Sequence, residues 1–306
     1  EDEMIAHPSG AQYEISHGDQ RATIVEVGGG VRAYSWGDRD VLDPYPLTEM
    51  CDGAHGTPLV PWPNRLGDGR YCFDGTEYQV ALTEPEHHNA IHGFLRWVPW
   101  QPRERSGDSV VMGTRLYPRS GYPFTVDVQI AYTLDDDGLT VAATATNIGD
   151  RPCPFGIGQH PYLSAGGGVV DDCLLCIDAA ARLMTDSRAL PTATVPVEGT
   201  PYDFREPRRL GSMELDTAFA DLGRDATGRA YVTLTSPDDR SAVLWADEGY
   251  TLLELFTGDT LRPERRRRGL GSEPMSCPPN AFQTGAGLAR LGPGVSATAS
   301  WGARLV

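Results

Sequence analysis

Two short segments carry side chains suited to proton transfer. PFGIGQHPYL, residues 154–163, places His160 between a glycine-rich approach and a proline-tyrosine pair, and SEPMSCPPNAF, residues 272–282, contains Glu273. A histidine titrates near neutral pH and can donate a proton, whereas a glutamate can accept one. A histidine and a carboxylate together therefore suit general acid–base catalysis without a cofactor. The alternative for His160 is a partly buried histidine fixed by the turn that ends at Pro161.

Four further segments lack the alternation of a strand and are rich in polar groups. They contain histidines, carboxylates, an arginine and aromatic residues, and each lies between or at the ends of predicted strands. Loops in such places carry function on a rigid scaffold, and this inventory indicates a carbohydrate site with acid–base capacity. The segments are PWPNRLGDG (61–69), HHNAIHGFLRW (87–97), MELDTAF (213–219) and ELFTGD (254–259).

Other chemistries fit these residues less well. His88, His92 and His160 would offer three metal ligands, but the i, i+4 spacing of the first two places them together only on a helix, and HHNAIHG lacks helical patterning. No serine or cysteine occupies a G-x-S-x-G elbow. The pair CLLC (173–176) lies in a predicted strand, where residues i and i+3 point to opposite faces, so a metal or redox pair is disfavoured there.

The elements that position these segments are predicted to be strands. Apolar residues alternate at period two through most of the chain, and helical periodicity is scarce. RYCFDGTEYQVAL (70–82) indicates a hairpin around Asp74-Gly75, and residues 126–147 indicate two long strands around an acidic turn. Further predicted strands are RATIVEV, SVVMGTRLY, AYVTLTS, SAVLWA, TLLELFT and SATASWGARL. We therefore expect one large antiparallel β-sandwich with few short helices, as a single domain over residues 1–306 in which residues 1–10 are partly flexible.

Composition narrows the class of partner. The 306 residues have a net charge of −16, and all 26 basic residues are arginines, which disfavours nucleic acid as a partner. No run approaches the ~20 apolar residues of a membrane span, and no secretory signal is visible, so we expect no membrane partner and a cytoplasmic location. The six cysteines are expected to be reduced thiols. A monomer and a homodimer remain alternatives.

Five motifs, in order, resemble the aldose 1-epimerase (galactose mutarotase) family. They are HNAIHGFLRW, GQHPYL, LDTAF, LFTGD and EPMSCPPNAF, and the resemblance covers the chain from about residue 10 to residue 306. It implies a galactose mutarotase-like supersandwich, no metal or organic cofactor, and interconversion of the α and β anomers of a free aldohexose such as glucose or galactose.

The resemblance also implies roles for five residues. His160 matches the general acid toward the ring oxygen, and Glu273 matches the general base. His92 matches a second histidine that hydrogen-bonds the sugar. Asp216 matches the aspartate that accepts hydrogen bonds from sugar hydroxyls, and Arg65 matches an arginine that lines the pocket.

Two positions and one basic run complete the predicted site. Asn64, next to Arg65, is a weaker candidate for the same pocket. Glu254 stands where better-known members of the family resemble one another in having glutamine. It is therefore expected to influence sugar preference by adding negative charge to the pocket.

RPERRRRGLGSEP brings five arginines close to Glu273 in sequence. Either they form a solvated loop, or some bind a phosphate or sulfonate on the sugar, because guanidinium groups match such oxyanions. A sugar-binding protein without turnover is the alternative outside the enzyme class.

Overall fold

The structure, a computed structural model, describes residues 6–306 and consists mainly of antiparallel strands. The first strands are β1 (Gln12–His17), β2 (Gln20–Val25), β3 (Val31–Trp36), β4 (Arg39–Leu42), β5 (Pro58–Leu59), β6 (Arg65–Gly67), β7 (Arg70–Phe73), β8 (Thr76–Gln79), β9 (Asn89–Ile91), β10 (Gln101–Arg105), β11 (Ser109–Leu116), β12 (Val126–Asp135) and β13 (Gly138–Asn147). The remaining strands are β14 (Cys153–Phe155), β15 (Gly158–Gln159), β16 (Tyr162–Ser164), β17 (Leu174–Ile177), β18 (Ala179–Thr185), β19 (Pro191–Pro196), β20 (Arg208–Arg209), β21 (Asp216–Leu222), β22 (Ala230–Thr235), β23 (Ser241–Ala246), β24 (Leu252–Phe256), β25 (Gly269–Met275), β26 (Ala289–Leu291) and β27 (Ser296–Leu305).

Helical structure is sparse in the described part of the chain. One short α-helix, α1, spans Ala281–Thr284, and three single 3₁₀ turns span Pro85–His87, Val170–Asp172 and Pro263–Arg265. No helix among residues 6–306 combines the length and the apolar character that a membrane crossing requires.

Two large sheets account for most of the strands. The first has the order β1-β2-β3-β4-β16-β25-β24-β21-β18-β19, and its β15 pairs with both β25 and β5. The second has the order β10-β11-β12-β13-β27-β23-β22-β17-β20. Three small two-stranded sheets, β14-β26, β6-β9 and β7-β8, lie beside them. The strand β25, which carries Glu273, is interior to the first sheet, and all seven of its residues are buried.

The two large sheets pack against each other around one core. Strand β1 contacts β11 and β12, β4 contacts β27, and β16 contacts β23. Alternate residues of β12 and β13 are buried, as the period-two pattern requires when one face of a strand meets the core. Large aromatic side chains fill the space between the layers and contribute much of the apolar area buried there, among them Tyr34, Trp100, Tyr132 and Trp301. The prediction of a large antiparallel β-sandwich with few short helices is confirmed.

Most strand predictions match the structure closely. The hairpins around Asp74-Gly75 and after Asp135 are present as β7-β8 and β12-β13. The segment that contains Glu273 differs from the prediction. It is expected to be a loop, but it forms part of strand β25. All six cysteines are free thiols. Of the two cysteines in CLLC, Cys173 follows the 3₁₀ turn Val170–Asp172, and Cys176 lies in β17. The single-domain assignment over residues 1–306 stays a prediction, and its residues 1–5 lie outside the described part.

Candidate active site

The structure brings His160 and Glu273 into direct contact, although 113 positions separate them in the sequence (273 − 160). His160 follows β15, and its Nε2 lies 3.1 Å from Oε1 of Glu273. The side chains are 5% and 3% exposed, so bulk water barely reaches either group. The Nδ1 of His160 and the Oε2 of Glu273 are buried and have no hydrogen-bond partner among the described residues. The pair thus retains hydrogen-bonding capacity that a bound ligand can satisfy.

Burial sets the protonation of this pair. Desolvation, with smaller contributions from the charges of His55 and Arg96, lowers the pKa of His160 to about 3. Desolvation raises the pKa of Glu273 well above its ordinary value, and Asp216 adds to this, whereas Arg65 opposes it. Both effects favour uncharged forms. Burial therefore favours a pair in which Glu273 keeps its proton and the His160 imidazole is neutral.

A cavity of about 200 Å³ lies against the pair. Its volume and mixed lining suit a ligand of the size of one monosaccharide, held by several polar side chains. The lining residues are Gly53, Ala54, Asn64, Arg65, Glu84, Ile91, His92, Arg96, His160, Asp216, Phe256, Thr260, Leu261 and Glu273. Six of the seven predicted site residues line this cavity, and Glu254 is the exception.

Asn64 and His92 form a reciprocal pair on one side of the cavity. The backbone N–H of Asn64 donates to Nδ1 of His92 over 3.0 Å, and the backbone N–H of His92 donates to the Asn64 carbonyl over 2.9 Å. Because Nδ1 accepts, the neutral ring carries its proton on Nε2. Burial keeps the ring neutral by lowering the pKa of His92 well below its usual value, and Arg96 and His160 act in the same direction. His92 therefore offers a ligand one uncharged N–H donor.

The backbone at this pair has an uncommon conformation. Asn64 has a φ of 59° and His92 a φ of 62°, both in the left-handed region that side chains other than glycine seldom adopt. Gly93 follows with a φ of 64°, and a Cβ placed there would lie 2.0 Å from the Val60 carbonyl oxygen. Only glycine fits that close approach. These conformations turn the His92 ring toward His160, at 5.3 Å between ring centroids.

Arg65, directly after Asn64 in the chain, organises a further part of the cavity wall. Its Nε donates to both oxygens of Glu84, at 3.0 and 2.9 Å, and its Nη1 lies 3.6 Å from Oδ2 of Asp216. Burial alone would lower the pKa of Arg65, but Glu84 and Asp216 outweigh it and raise that pKa. The guanidinium is therefore fully charged. It holds Asp216, at the start of β21, where sugar hydroxyls can donate to its carboxylate.

Glu254 lies behind the cavity and is only 3% exposed. It stands directly opposite Glu273 in the β24-β25 register, and Ala218 of β21 stands opposite it on the other side. Desolvation raises the pKa of Glu254 well above its ordinary value, and Asp216 and Glu273 raise it further. Burial and these neighbours therefore favour the protonated, uncharged form of this carboxyl group. The raised pKa disfavours the negative charge expected of Glu254, and its influence on sugar preference stays a prediction.

An aromatic stack supports the wall beneath His160. The ring of Tyr162 stacks on His160 at 5.1 Å and on His55 at 3.8 Å between centroids. The Tyr162 hydroxyl donates to the carbonyl oxygen of Gly53 over 2.6 Å, which ties the stack to another part of the cavity wall. The backbone N–H of His160 also donates to the carbonyl oxygen of Thr57. His160 is thus held by packing and hydrogen bonds on several sides.

The five arginines of the basic run do not line the cavity. Arg265 is buried and donates to the Pro44 carbonyl over 2.7 Å, and Arg267 pairs with Asp171 and Asp259 at 2.6 and 2.7 Å. The other three arginines also have partners: Arg262 pairs with Glu49, Arg266 donates to the Leu261 carbonyl, and Arg268 lies near Asp43. Of these partners, Leu261 lines the cavity. Arg262, Arg266 and Arg268 are exposed, as the solvated-loop alternative expects, whereas Arg265 and Arg267 are buried or half-buried and join loops to one another. None of the five lines the cavity, which disfavours the alternative of sugar-oxyanion binding.

Metal ligation by His88, His92 and His160 does not fit the structure. His88 is exposed and lies 2.8 Å from Asp68, away from the cavity lining. A different trio, His92, His160 and Glu273, has ligand atoms within 4.8 Å of one another and would be the group able to hold a metal ion. However, Nδ1 of His92 already accepts from Asn64, and Nε2 of His160 already contacts Glu273.

Sequence reasoning missed two charged residues of the cavity. Glu84 lies just before a 3₁₀ turn and binds Arg65, and no motif in the sequence marks it. Arg96 also lines the cavity. It follows His92 by four positions within HNAIHGFLRW, so the motif contained it, but nothing in the spacing distinguishes it from a surface arginine.

Comparison with known proteins agrees with this geometry. Residues 11–302 match the family model described as aldose 1-epimerase. The chain is 34% identical to the uncharacterized protein YihR of Escherichia coli (strain K12) over 287 residues, which cover 93% of this chain and 90% of YihR. It is 34% identical to the galactose mutarotase of Homo sapiens over 157 residues, covering 48% of this chain and 44% of that protein.

Solved structures show the same fold. The GalM/aldose epimerase homologue from C. elegans superposes with a TM-score of 0.85 at 18% identity, covering 97% of this chain and 98% of that chain. A galactose mutarotase-like protein from Clostridium acetobutylicum gives a TM-score of 0.83 at 17% identity, covering 96% and 94%. At these identities the likeness concerns the fold alone. From the family match along almost its whole length, we conclude that the chain belongs to the aldose 1-epimerase family.

Proposed function

We propose that this protein is a mutarotase that interconverts the α and β anomers of a free aldohexose such as glucose or galactose. The observation that carries the proposal is the buried contact of 3.1 Å between Nε2 of His160 and Oε1 of Glu273 beside the cavity. The two oxygens that must exchange protons, O1 and O5, are both bonded to C1. An acid and a base that act on them must therefore be neighbours, as this histidine and this glutamate are.

The proposed reaction uses the one proton that the pair holds. Its transfer from Glu273 to Nε2 of His160 gives the carboxylate and imidazolium that the reaction needs. Glu273 then takes the proton of the O1 hydroxyl while His160 protonates O5, the C1–O5 bond breaks, and a C1=O1 aldehyde forms. Rotation about C1–C2 and reclosure, with both proton transfers reversed, gives the other anomer. Each positioned proton transfer contributes roughly 10²–10⁴-fold to the rate.

The neighbouring groups would hold the sugar for this step. Nε2–H of His92 is an uncharged donor suited to the ring oxygen, because it can bind O5 without competing for the transferred proton. Asp216, held by Arg65, would accept hydrogen bonds from hydroxyl groups, and Asn64 also lines the cavity. Such fixed polar groups orient the substrate before reaction.

The alternative is a protein that binds sugars without turnover. The experiment that separates the two follows the anomeric protons of freshly dissolved α-glucose and α-galactose by NMR, with and without the protein. We expect equilibration to be faster with protein for at least one aldose. If no aldose in a panel equilibrates faster while binding is measurable by calorimetry, the enzymatic proposal is wrong and the binding protein is the better description.

We also retain the predictions of partners and location. The expected ligand is a small sugar, without nucleic acid or membrane as a partner, and the expected state is a monomer or a homodimer in the cytoplasm. These expectations depend on the composition and on the family resemblance.

A further inference from the structure

We propose that His55 is a positioning residue for the acid–base reaction, which holds the ring of His160 in place through Tyr162, whose own ring stacks on both histidines. The inference deepens the proposed function and rests on it. It assigns a task to a buried histidine that the proposed reaction does not use. His55 is not among the residues that line the cavity, so it acts on the reaction only through its neighbours.

The ring of His160 lacks a hydrogen bond that commonly orients an imidazole. In many sites one ring nitrogen reacts while the other is hydrogen-bonded to a neighbouring group, and that bond fixes the orientation of the ring. Here Nε2 lies 3.1 Å from Oε1 of Glu273, and Nδ1 is buried without a hydrogen-bond partner among residues 6–306. The orientation of this ring must therefore come mainly from packing.

Tyr162 provides a large part of that packing, and His55 supports Tyr162. The ring centroids of Tyr162 and His160 are 5.1 Å apart, with 26° between the planes. Those of Tyr162 and His55 are 3.8 Å apart, and the planes differ by only 5°. At this distance the two rings are in van der Waals contact, so Tyr162 cannot tilt toward His55. A change of the His55 ring would therefore reach His160 through one intermediate side chain.

A buried cluster of charged groups fixes His55 in turn. Its Nε2 lies 3.3 Å from Oδ2 of Asp43 and 3.4 Å from Nη2 of Arg265. The same Nη2 lies 3.5 Å from Oδ2 of Asp43 and donates to the Pro44 carbonyl over 2.7 Å. The three side chains are only 3–5% exposed. Polar networks in such dry surroundings rigidify the structure around them.

Stability alone does not account for this cluster. Burial of charged groups costs desolvation free energy, and apolar side chains of similar volume often stabilise a fold equally well or better. What the cluster adds is one defined arrangement of its members, here one ring away from the acid. His160 must aim its proton at the ring oxygen, and a displacement of about 1 Å can lower a rate by roughly 10²-fold. A defined position of His55 is therefore useful for the reaction.

The backbone also ties the loop around His55 to the acid. The N–H of Gly56 donates to the His160 carbonyl over 2.8 Å, and the N–H of His160 donates to the Thr57 carbonyl over 3.1 Å. These bonds do not involve the His55 side chain. A substitution of His55 therefore changes the ring and its contacts while the backbone on both sides keeps its partners.

The test measures kcat and KM separately, by NMR of anomer exchange, for an aldose that the wild-type protein accelerates. Two variants remove the flat ring: His55→Leu fills its space, and His55→Gln keeps a polar group for Asp43. A third variant, His55→Phe, keeps a flat ring without ring nitrogens. Val128→Ala in β12 of the second sheet is the control for a general loss of stability, because Val128 is fully buried and does not line the cavity.

The expected pattern separates positioning from stability. In His55→Leu and His55→Gln, kcat should fall by roughly 10- to 100-fold, and KM should change by less than about threefold, because the groups that bind the sugar stay in place. His55→Phe should restore kcat to within about fivefold of the wild-type value, because it renews the stack. Val128→Ala should lower the melting temperature and leave kcat and KM unchanged.

A second measurement follows the His160 ring without any turnover. The proton and carbon signals of its imidazole should be displaced by the ring current of Tyr162. This displacement should shrink in His55→Leu and His55→Gln and return in His55→Phe. If His55→Leu does not fold, His55→Gln provides the same comparison.

The outcomes distinguish this inference from the proposed function. An unchanged kcat in both variants without the ring would overturn the inference and leave the proposed function standing. So would a loss of the same size in His55→Phe, or a rise in KM with kcat unchanged. If the wild-type protein accelerates the exchange of no aldose, the proposed function is wrong and a catalytic task for His55 is wrong with it.

Discussion

Glu254 and Glu273 stand directly opposite each other across the β24-β25 pair, so two buried carboxyl groups share one face of the larger sheet. Asp216 lies on the neighbouring strand and raises the pKa of both. Of the cavity-lining cations, Arg65 is the one that opposes these shifts. Like charges so close in a buried place cannot all be ionised at neutral pH. The raised pKa values of Glu254 and Glu273 favour protonated carboxyl groups, which avoids this repulsion.

Glu254→Gln should therefore preserve activity at neutral pH. A protonated glutamate and a glutamine have nearly the same size, and both are uncharged. We expect kcat/KM within about threefold of the wild-type value in the anomer-exchange assay, because no catalytic charge is lost. A loss of 100-fold or more at pH 7 would show that an ionised Glu254 is required and would contradict the assignment.

The same variant should change how stability depends on pH. A folded-state pKa above the unfolded value stabilises the protein at low pH, and this contribution is lost as the pH rises from about 4.5 toward the raised value. The amide that replaces the carboxyl group cannot ionise, so the variant would not lose stability in this way. The free energy of unfolding of Glu254→Gln should therefore exceed that of wild type increasingly above about pH 4.5. The exposed Glu86→Gln serves as the control, for which no such trend is expected.

Removal of either member of the acid–base pair should nearly abolish turnover. For Glu273→Gln and His160→Asn we expect a fall in kcat of roughly 10²–10⁴-fold, because each variant deletes one proton transfer. Below about pH 4.5, stability should change by no more than about 1 kcal/mol in Glu273→Gln, since an uncharged amide then replaces a carboxyl group that is uncharged in the folded and the unfolded state. An active Glu273→Gln would refute the assignment of the base.

The pH dependence should reflect a pair that shares one proton. The active form has a single proton, so activity falls when the pair gains a second proton or loses the first. Because burial lowers the pKa of His160 to about 3, the second proton binds only in strong acid. The raised pKa of Glu273 places loss of the first above the usual carboxyl range. We expect a bell-shaped profile of kcat/KM with its acid limb well below about pH 6, and an acid limb near 6.5 would show that His160 titrates as an exposed imidazole.

Chelation should leave the reaction intact. Although His92, His160 and Glu273 are close enough to hold a metal ion, two of their ligand atoms are engaged within the protein. Prolonged treatment with EDTA, followed by dialysis, should change the exchange rate by less than about twofold. A loss that added Zn²⁺ restores would establish metal-assisted catalysis.

The sequence predicted the sheets better than the surroundings of the site. The period-two pattern identified β12 and β13 almost to the residue, because one face of each strand is buried. The segments SAVLWA and SATASWGARL also form strands, β23 and β27, although burial does not alternate regularly along either. It failed for β25, where every residue is buried and no alternation remains. The family motifs predicted the site residues that line the cavity, among them His160 and Glu273. The partner of Arg65 and the raised pKa of Glu254 depend on distances across the fold, which no local pattern encodes.

The position of β25 in the sheet also determines which part of the site resists local unfolding most. Its backbone amides lie in a fully buried, interior strand, whereas Arg65 comes from the two-stranded ribbon β6-β9, with His92 directly after it. Small ribbons open locally far more readily than interior strands do. In hydrogen-exchange experiments, amides around Glu273 should exchange only through global unfolding, and those of the ribbon through local opening. Moderate heating should then lower the affinity for the sugar first, while Glu273 stays in position. Cooling should restore that affinity without refolding of the sandwich.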